Sequence, residues 1–200
     1  MSFKIALIRL SVLGCSSSSI LTPKEQDINI DIKKISKNDV DLIDELTNLD
    51  VWHISKSSTL NELEAGEIGY IVKNEGIIVS TWWTFVDRVL HDGYLNRDFI
   101  LAPTEAYHWR IWTVREHRGE GIVPHLSAHV LDDISRRYHK SQHLCFVRTN
   151  NKSMLNAVAK SGWQRIGCAG MIEIGRVRFH YLWGREAFPM TKKRIYMTLH

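Results

Sequence analysis

The chain has 200 residues, enough for one domain, and its 44% hydrophobic and 24% charged residues are typical of a globular protein. This composition excludes a disordered chain, a collagen and a small disulfide scaffold, and no apolar run approaches the ~20 residues that a membrane-spanning helix needs. Residues 1–140 carry 16 basic and 20 acidic side chains, whereas residues 141–200 carry 10 basic and 2 acidic ones. The basic C-terminal part suits a polyanionic ligand, either a nucleotide phosphate or a nucleic acid.

Residues 1–26 are predicted to lie outside the domain as an N-terminal extension. Their apolar stretch, followed by Val12-Leu13-Gly14-Cys15 and four serines, is similar to a bacterial lipoprotein signal in which the cysteine is lipidated. Arg9 interrupts this stretch, whereas the apolar region of a signal is uncharged over about 7–15 residues. We therefore favour a poorly ordered or loosely docked arm, with a lipid anchor at Cys15 as the alternative.

Residues 27–187 are predicted to form one α/β domain, and residues 188–200 a basic tail. In chain order, alternating isoleucines predict a strand at 28–35, and apolar residues spaced by three predict a helix that begins at Asn38 or Asp39. Residues 51–66 are helical or irregular. Strands at 67–73 and 77–86 are joined by a hairpin turn, and a long loop follows over 87–104.

The second half of the domain continues the alternation of strands and helices. Aromatic and β-branched residues predict a buried strand at 107–114, and apolar residues four apart predict a helix of about 18 residues after Gly121. The remaining predicted elements are a strand at 144–147, a helix at 152–160 and strands at 163–174 and 176–183. The order of elements indicates a mixed sheet with helices on its faces.

A glycine turn between the strand at 107–114 and the following helix carries the clearest chemistry. Arg118-Gly119-Glu120-Gly121-Ile122 leads from strand to helix, where free backbone N–H groups and the positive end of the helix dipole meet. Such a nest binds a pyrophosphate. A P-loop is excluded because no Lys-Ser/Thr pair follows, and a dinucleotide fingerprint needs three glycines.

This turn resembles the pyrophosphate-binding segment of the GNAT superfamily of acyl-CoA-dependent N-acetyltransferases, Gln/Arg-x-x-Gly-x-Gly/Ala. A second resemblance lies in Asn151, the short helix after it, and Gly162-Trp163. The resemblance covers residues 28–185 and implies a mixed, mostly antiparallel, twisted sheet of six to seven strands flanked by about four helices, with strands splayed at the centre. The sequence departs from the family's pattern at Val123-Pro124, and at Val158, where many members carry a tyrosine that protonates the leaving thiolate.

The resemblance implies acetyl-CoA as cosubstrate and a set of residues that bind it. The backbone groups of Trp112, Thr113 and Val114 would bond the pantetheine amides, and Asn151 would contact the pantetheine or position its helix. The pyrophosphate would lie on Arg118, Gly119, Glu120, Gly121, Ile122 and Val123.

A general base is expected on the strand that precedes the glycine turn. Glu105, Tyr107 and His108 lie near the expected path of the amine, and His108 has the most useful ordinary pKa, about 6.5. No metal is expected: His125 and His129 are four apart on a helix, but the glutamate of an H-E-x-x-H site is absent.

The sequence thus predicts a cytoplasmic N-acetyltransferase that transfers acetyl directly from acetyl-CoA to a primary amine of a small molecule, an amino sugar or a peptide. A module of the same fold that binds acyl-CoA without turnover is the first alternative, and a nucleic-acid-associated protein is a weaker one. The loop at 87–104, with Asp87, Asp92 and Asp98, is the candidate acceptor pocket for a cationic or sugar-like amine. A monomer and a homodimer both stay open.

Overall fold

The computed structural model describes residues 5–23, 29–49, 55–86, 89–93, 95, 97–175, 177–184 and 194–199. In these residues the helices are α1 (Val40–Thr47), α2 (Lys56–Glu64), α3 (Ile122–Tyr138) and α4 (Lys152–Ala159). The strands are β1 (Ile5–Ser16), β2 (Asp31–Ile35), β3 (Ile68–Asn74), β4 (Ile77–Val86), β5 (Val89–Asp92), β6 (Arg97–Ile100), β7 (Glu105–Thr113), β8 (Gln142–Arg148), β9 (Gln164–Ile174), β10 (Val177–Gly184) and β11 (Arg194–Leu199).

Nine of the described strands form one sheet, in the order β11-β10-β9-β1-β8-β7-β4-β3-β2. The pair β7–β8 is parallel, and every other pair in this order is antiparallel. A parallel pair needs a long crossover, which α3 provides. The prediction of a mixed, mostly antiparallel sheet with about four helices is confirmed, although the sheet has more strands than the six to seven expected.

Each face of the sheet has its own cover. Side chains of α3 and α4, such as Leu126 and Val158, pack with Trp82 and Cys145 on one face, which we call the α3 face. On the opposite face, α1 packs over Trp83, and the residues around the β5–β6 hairpin pack over Tyr107 and Phe146. We call the part of this second face under the hairpin the hairpin face. Odd and even positions of β7 therefore point into different environments.

Strand β1 corrects the prediction that residues 1–26 lie outside the domain. It lies inside the sheet, pairing with β8 along Leu10–Ser16 and with β9 along Ile5–Gly14. Leu10 and Val12 are buried among residues of the hairpin face, whereas Leu13 and Cys15 are buried on the α3 face. A strand that is buried on both faces has a continuous apolar sequence, which here is similar to the apolar region of a signal.

Two further segments differ from the sequence-based expectation. The predicted loop at 87–104 contains the hairpin β5–β6, in which Val89–Asp92 pairs with Arg97–Ile100. The predicted tail at 188–200 contains β11, which pairs with β10 from Val177 to Leu182. Both segments are short and their partners come from the tertiary structure, so local sequence pattern indicates them only weakly.

Candidate functional site

The centre of the sheet opens between β7 and β8. Their parallel pairing runs from Glu105 opposite Gln142 to His108 opposite Cys145 and ends there. On the other side of β7, Arg110 and Ile111 lie opposite Trp82 alone, because Trp83 pairs with Trp109 and Thr81 with Trp112. This β-bulge holds Arg110 at a φ of +43°, and a bulge bends its strand. The predicted splay of the two strands is therefore present, and it begins where the bulge begins.

A cavity of about 500 Å³ occupies the splay. Its volume lies within the range of about 300–1,000 Å³ that is usual for small-molecule sites. It is lined by residues of both sheet faces: Phe85, His91, Asp92, Gly93, Tyr107, His108, Trp109, Arg110, Ile111, Cys145, Phe146, Val147, Arg148, Asn151 and Met154. The opening thus connects the α3 face, where α4 lies, with the hairpin face.

His108 lines this cavity and belongs to a chain of buried polar groups. The Trp82 indole N–H donates to its Nδ1 at 2.8 Å, and its Nε2 lies 3.0 Å from Nδ1 of His143. Nε2 of His143 lies 2.9 Å from Ser135 Oγ, whose hydroxyl donates to the Leu131 carbonyl. An indole only donates, so Nδ1 of His108 is an acceptor and its proton is on Nε2. Both imidazoles are then neutral, and the Nε2–H of each donates to the next group: that of His108 to His143, and that of His143 to Ser135.

Burial sets the protonation of this pair. Removal from water lowers the pKa of His108 well below its ordinary value, and neighbouring His143 lowers it further. Burial lowers the pKa of His143 to about 3. With Nδ1 accepting from Trp82 and Nε2 donating to His143, neither ring nitrogen of His108 presents a lone pair to the cavity. The structure therefore places His108 at the site, but in a form unsuited to removing a proton from an amine.

The other two predicted acid–base residues are placed differently. Tyr107 lines the cavity, and its hydroxyl donates to Oδ2 of Asp92 at 3.1 Å. Burial, followed by the Asp92 charge, raises the pKa of Tyr107 well above its ordinary value. Glu105 lies at the start of β7, fully buried, and accepts the Ala102 N–H at 2.8 Å. It is not among the residues that line the cavity.

The predicted backbone contacts at the end of β7 are only partly available. The Val114 N–H donates to the Val79 carbonyl at 2.9 Å, so this group is not free as expected. The Trp112 carbonyl accepts from Ser80 Oγ at 2.6 Å. Because main-chain groups alternate along a strand, Ile111 and Thr113 direct theirs toward the splay. The Thr113 carbonyl accepts from Arg118 Nε at 3.0 Å, so Arg118 braces the glycine turn against the strand.

The glycine turn has the geometry expected of an anion nest. Gly119 and Gly121 have φ of +92° and +81°, values that favour glycine, and Gly121 is the N-cap of α3. A Cβ at Gly119 would meet nothing within 4 Å. Glu120 is held by His117 Nδ1 at 2.9 Å. The first N–H groups of a helix, here those of Ile122 and Val123, have no intrahelical acceptor.

The departures from the family's pattern have clear structural consequences. Ile122 and Pro124 are buried, and Val123 packs against the core cluster of the α3 face, so the bulk of its side chain is directed away from the turn. Val158 is buried in the same cluster and is not part of the cavity wall. Tyr181, whose hydroxyl could donate a proton in place of the family's tyrosine, lies on β10 over Gly170 and is also outside the wall.

Asn151 lines the cavity and also caps the helix that follows it. It is the N-cap of α4, and its Oδ1 accepts the Met154 N–H at 3.2 Å. The sequence did not single out Trp109, Ile111 or Phe146 as lining residues. Their place in the cavity wall follows from the end of the β7–β8 pairing at His108, which the sequence does not show.

The histidines considered as metal ligands are not assembled into a site. His125 Nδ1 lies 2.9 Å from the Gly121 carbonyl, and His129 is exposed with its ring edge-on to Tyr70. Among the residues that the structure describes, no group of three or more His, Cys, Asp or Glu side chains is placed to hold a metal ion. In the same residues, no helix combines the length and apolarity needed to cross a membrane.

Comparison with solved structures identifies the fold. No model of a protein family matches the sequence, and no curated protein matches it. A GNAT-family acetyltransferase from Novosphingobium aromaticivorans superposes with a TM-score of 0.57 at 15% identity, over 84% of this chain and 65% of that one. The chain has the GNAT fold.

Further structures with the GNAT fold match in the same way. A GNAT-family acetyltransferase from Colwellia psychrerythraea gives a TM-score of 0.55 at 14% identity, over 90% of this chain and 57% of that one. A tandem GNAT protein of the clavulanic acid biosynthesis pathway gives 0.62 at 10% identity, over 84% and 54%. This chain thus spans between about half and two thirds of these GNAT chains.

Proposed function

We propose that the protein is an acyl-CoA-dependent N-acyltransferase that transfers acetyl from acetyl-CoA to a primary amine by direct transfer. The observation that carries the proposal is the cavity in the splay between β7 and β8, which joins the two faces of the sheet. A donor on one face and an acceptor on the other can meet there without a covalent enzyme intermediate. Because acetyl-CoA is a cytosolic metabolite, we place the active protein in the cytoplasm.

The donor is proposed to enter on the α3 face. The N–H groups from Gly119 to Val123 bind the pyrophosphate, and the two left-handed glycines let the chain approach it closely. The pantetheine amides then pair with main-chain groups of Ile111 and with the N–H of Thr113, whose carbonyl is already bonded to Arg118. Asn151 and Met154 form the wall of the cavity beside that path.

The chemistry is an aminolysis of the thioester. The acceptor ammonium loses a proton to solvent, the amine nitrogen attacks the thioester carbonyl carbon, and the C–S bond breaks as the amide C–N bond forms. The second proton leaves the nitrogen, and the thiolate of coenzyme A takes up a proton from water. A thiol titrates near ~8.5, like free cysteine, so the thiolate departs without a positioned acid at Val158. The protein contributes alignment of the amine with the thioester and a polar environment for the carbonyl oxygen.

Donor binding is tested by calorimetry with acetyl-CoA. Gly119→Asp places bulk and negative charge where the phosphates are proposed to lie, and we expect at least a 100-fold loss of affinity. Gly76→Asp is the matched control: Gly76 also has a positive φ, +84°, and open space around its missing Cβ, but lies in the β3–β4 turn. Equal affinity in the two variants would refute the phosphate site.

Turnover is tested with thiol release in the presence of amines, amino sugars and peptides. Release that depends on both acetyl-CoA and an amine supports the transferase. A folded protein that binds acetyl-CoA and releases no thiol with any acceptor would instead support a module that binds acyl-CoA without reaction. Steeply salt-dependent RNA binding in place of acetyl-CoA binding would favour the nucleic-acid alternative.

A further inference from the structure

Strand β7 turns two consecutive side chains to the same side where it parts from β8. In a regular strand, successive side chains lie on opposite faces of the sheet. Here the Trp109 indole N–H donates to Oε2 of Glu67 at 3.0 Å, and Arg110 Nη1 donates to Oε2 of Glu62 at 2.5 Å. The Arg110 guanidinium also lies over the Trp109 ring, 4.1 Å from its centroid. The bulge therefore allows both side chains to reach acidic residues on α2 and just after it.

The bulge is also held from the neighbouring strand, through the backbone of Arg110. The hydroxyl of Thr81, a fully buried residue of β4, donates to the Arg110 carbonyl at 3.1 Å. The peptide bond between Arg110 and Ile111 is trans, so its N–H points the opposite way from its C=O. The Ile111 N–H is therefore directed away from the Thr81 hydroxyl and toward the cavity, which Ile111 lines.

The conformation of this bulge depends on the contacts around it, because a positive φ is unfavourable for arginine. Such a conformation persists where neighbouring groups over-determine it. Glu62 fixes the side chain of Arg110, and Thr81 fixes its carbonyl. Only 17% of the Arg110 side chain and 15% of the Glu62 side chain are exposed, so water screens their attraction less than that of a surface pair.

We propose that Thr81 and Glu62 position the main chain that binds the donor. Together they keep Arg110 in its left-handed conformation, and they thereby hold Ile111 in the orientation that pairs with the pantetheine. The inference rests on the proposed function, because that function supplies the ligand of the Ile111 main chain. It predicts that changes at Thr81 and Glu62 weaken binding of the pantetheine part of the donor and leave binding of its pyrophosphate unchanged.

The first test removes the Thr81 hydroxyl while keeping the shape of the side chain. Thr81→Val on the full chain should weaken acetyl-CoA binding about tenfold in calorimetry, the effect of losing one hydrogen bond. Thr81→Ser keeps the hydroxyl and should bind acetyl-CoA within about threefold of the unmodified chain. Equal weakening in these two variants, or unchanged binding in Thr81→Val, would overturn the role of the hydroxyl.

Thr84→Val is the matched control for a purely structural effect. Thr84 is also fully buried on β4, but its hydroxyl lies 3.0 Å from Nδ1 of His108, where β7 still pairs with β8. Both valine variants should lose similar stability in urea, whereas only Thr81→Val should weaken acetyl-CoA binding. Equal weakening by the two variants would show that loss of any buried hydroxyl of β4 disturbs the site, and would reject the inference.

The second test compares two half-buried ion pairs, each between a helix and the sheet. Glu62→Gln removes the charge that holds Arg110 and should weaken acetyl-CoA binding several-fold. Glu45→Gln is the matched control, because Glu45 of α1 pairs with Lys73 of β3 at 2.6 Å and neither residue lines the cavity. If the two variants bind acetyl-CoA equally, Glu62 acts on stability alone and its part in the inference is wrong.

Adenosine diphosphate separates the two parts of the donor, because it carries a pyrophosphate and no pantetheine. Thr81→Val and Glu62→Gln should bind it as the unmodified chain does, whereas Gly119→Asp should bind it less tightly. A loss of adenosine diphosphate binding in parallel with the loss of acetyl-CoA binding would contradict a positioning role. If the diphosphate binds the unmodified chain too weakly to measure, the comparison with Thr84→Val decides.

Failure of this inference differs from failure of the proposed function. Tight binding of acetyl-CoA that Gly119→Asp abolishes, but that Thr81→Val and Glu62→Gln leave unchanged, would keep the donor site and reject the positioning role. Absence of acetyl-CoA binding to the unmodified chain would reject both.

Discussion

The β7–β8 pair has a closed half, where the two strands are hydrogen-bonded, and an open half, where they part. In the first half, from Glu105 to His108, the strands are hydrogen-bonded and the space between sheet and α3 is filled by the His108–His143 chain. In the second half, from Trp109 onward, the strands part and a cavity fills the gap. In the first half the polar groups of the two strands bond to one another, whereas the second half borders the cavity.

Strand β8 needs another partner in the open half, where it no longer pairs with β7. Strand β1 pairs with β8 from Leu10 opposite Arg148 to Ser16 opposite Gln142, across both halves. The open half of β8 is therefore supported from its other side. Because β1 covers one edge of β8 along its whole length, the splay leaves only the other edge of β8 unpaired, and sheets avoid exposed edges.

Removal of residues 1–16 should have the largest effect on this arrangement. The deletion takes out a strand between β8 and β9 and exposes both of their edges, so we expect no cooperative unfolding transition in urea or on heating. Circular dichroism with thermal melting measures this. A cooperative transition close to that of the full chain would show that β1 is dispensable.

A lipoprotein-type cleavage before Cys15 would likewise remove most of β1, so we expect intact mass to show residues 1–14 retained.

Point variants of β1 separate loss of the strand from loss of its core contacts. Leu10 is fully buried, and Leu10→Ala should cost about 2–5 kcal/mol in the free energy of unfolding. Leu7 lies on the same strand with 51% of its surface exposed, and Leu7→Ala should change that free energy by less than about 0.5 kcal/mol. Equal costs would contradict the placement of β1.

Low pH should lower the free energy of unfolding through the two buried histidines of the closed half. The folded-state pKa of His143 is lowered to about 3, and that of His108 is lowered too, whereas an unfolded histidine titrates near ~6.5. The unfolded state then binds more protons, so stability falls as pH drops from about 6.5 toward 3. His143 alone contributes ~1.4 kcal/mol per pH unit below about 6.5, a loss of about 3 kcal/mol at pH 4.5, and the lowered pKa of His108 acts in the same direction. Urea unfolding at pH 7 and 4.5 measures it.

Substitution of single histidines isolates this effect from other acid-sensitive groups. His143→Gln should flatten the pH dependence of the urea midpoint, because one of the two buried imidazoles is gone. His129→Gln should leave the dependence as it is, since His129 is exposed on α3. Parallel curves for all three proteins would show that the buried chain does not set the acid response.

The sequence predicted most of the helices and strands of the fold, but fewer of the residues that line the cavity. Apolar periodicity located α1, α3, α4 and the strands from β2 to β10 apart from the β5–β6 hairpin, because each carries its own pattern. Strand β1 was missed because burial on both faces removes the alternation. The turn at Gly119 and Gly121 was visible in the sequence because a positive φ favours glycine, and both glycines have one. That this turn binds an anion stays a prediction.

The cavity wall was harder to predict because it depends on register. The bulge at Arg110 shifts the strand by one residue, and a shift of one exchanges the faces of all that follow. The resemblance implied free backbone groups at Trp112–Val114, whereas the Val114 N–H is bonded to the Val79 carbonyl. Asp92 was named among the acidic residues of the loop, but only the hairpin pairing brings it to Tyr107. No single-residue preference encodes such a contact.

Helix α4 has one side in the core, with Val158, and one side at the cavity, with Met154. Val158 is buried in the core of the α3 face, so Val158→Ala should cost about 2 kcal/mol in the free energy of unfolding. Because Val158 cannot donate a proton and lies outside the cavity, turnover should change less than twofold. Met154→Ala is the control on the cavity side and should raise KM for acetyl-CoA. A large loss of turnover in Val158→Ala alone would place that position in the reaction.

A smaller loss of stability than that of Val158→Ala is predicted at the start of α4. Asn151→Ala removes the acceptor of the Met154 N–H and should cost about 1 kcal/mol, the usual value for an N-cap. Ser55→Ala is the matched control, because Ser55 caps α2 through the Ser58 N–H at 3.1 Å and is not part of the cavity wall. Both variants should lose similar stability in urea, but only Asn151→Ala should weaken acetyl-CoA binding, by several-fold in calorimetry. If both bind acetyl-CoA equally, Asn151 acts on the helix alone, and the open half binds its donor without it.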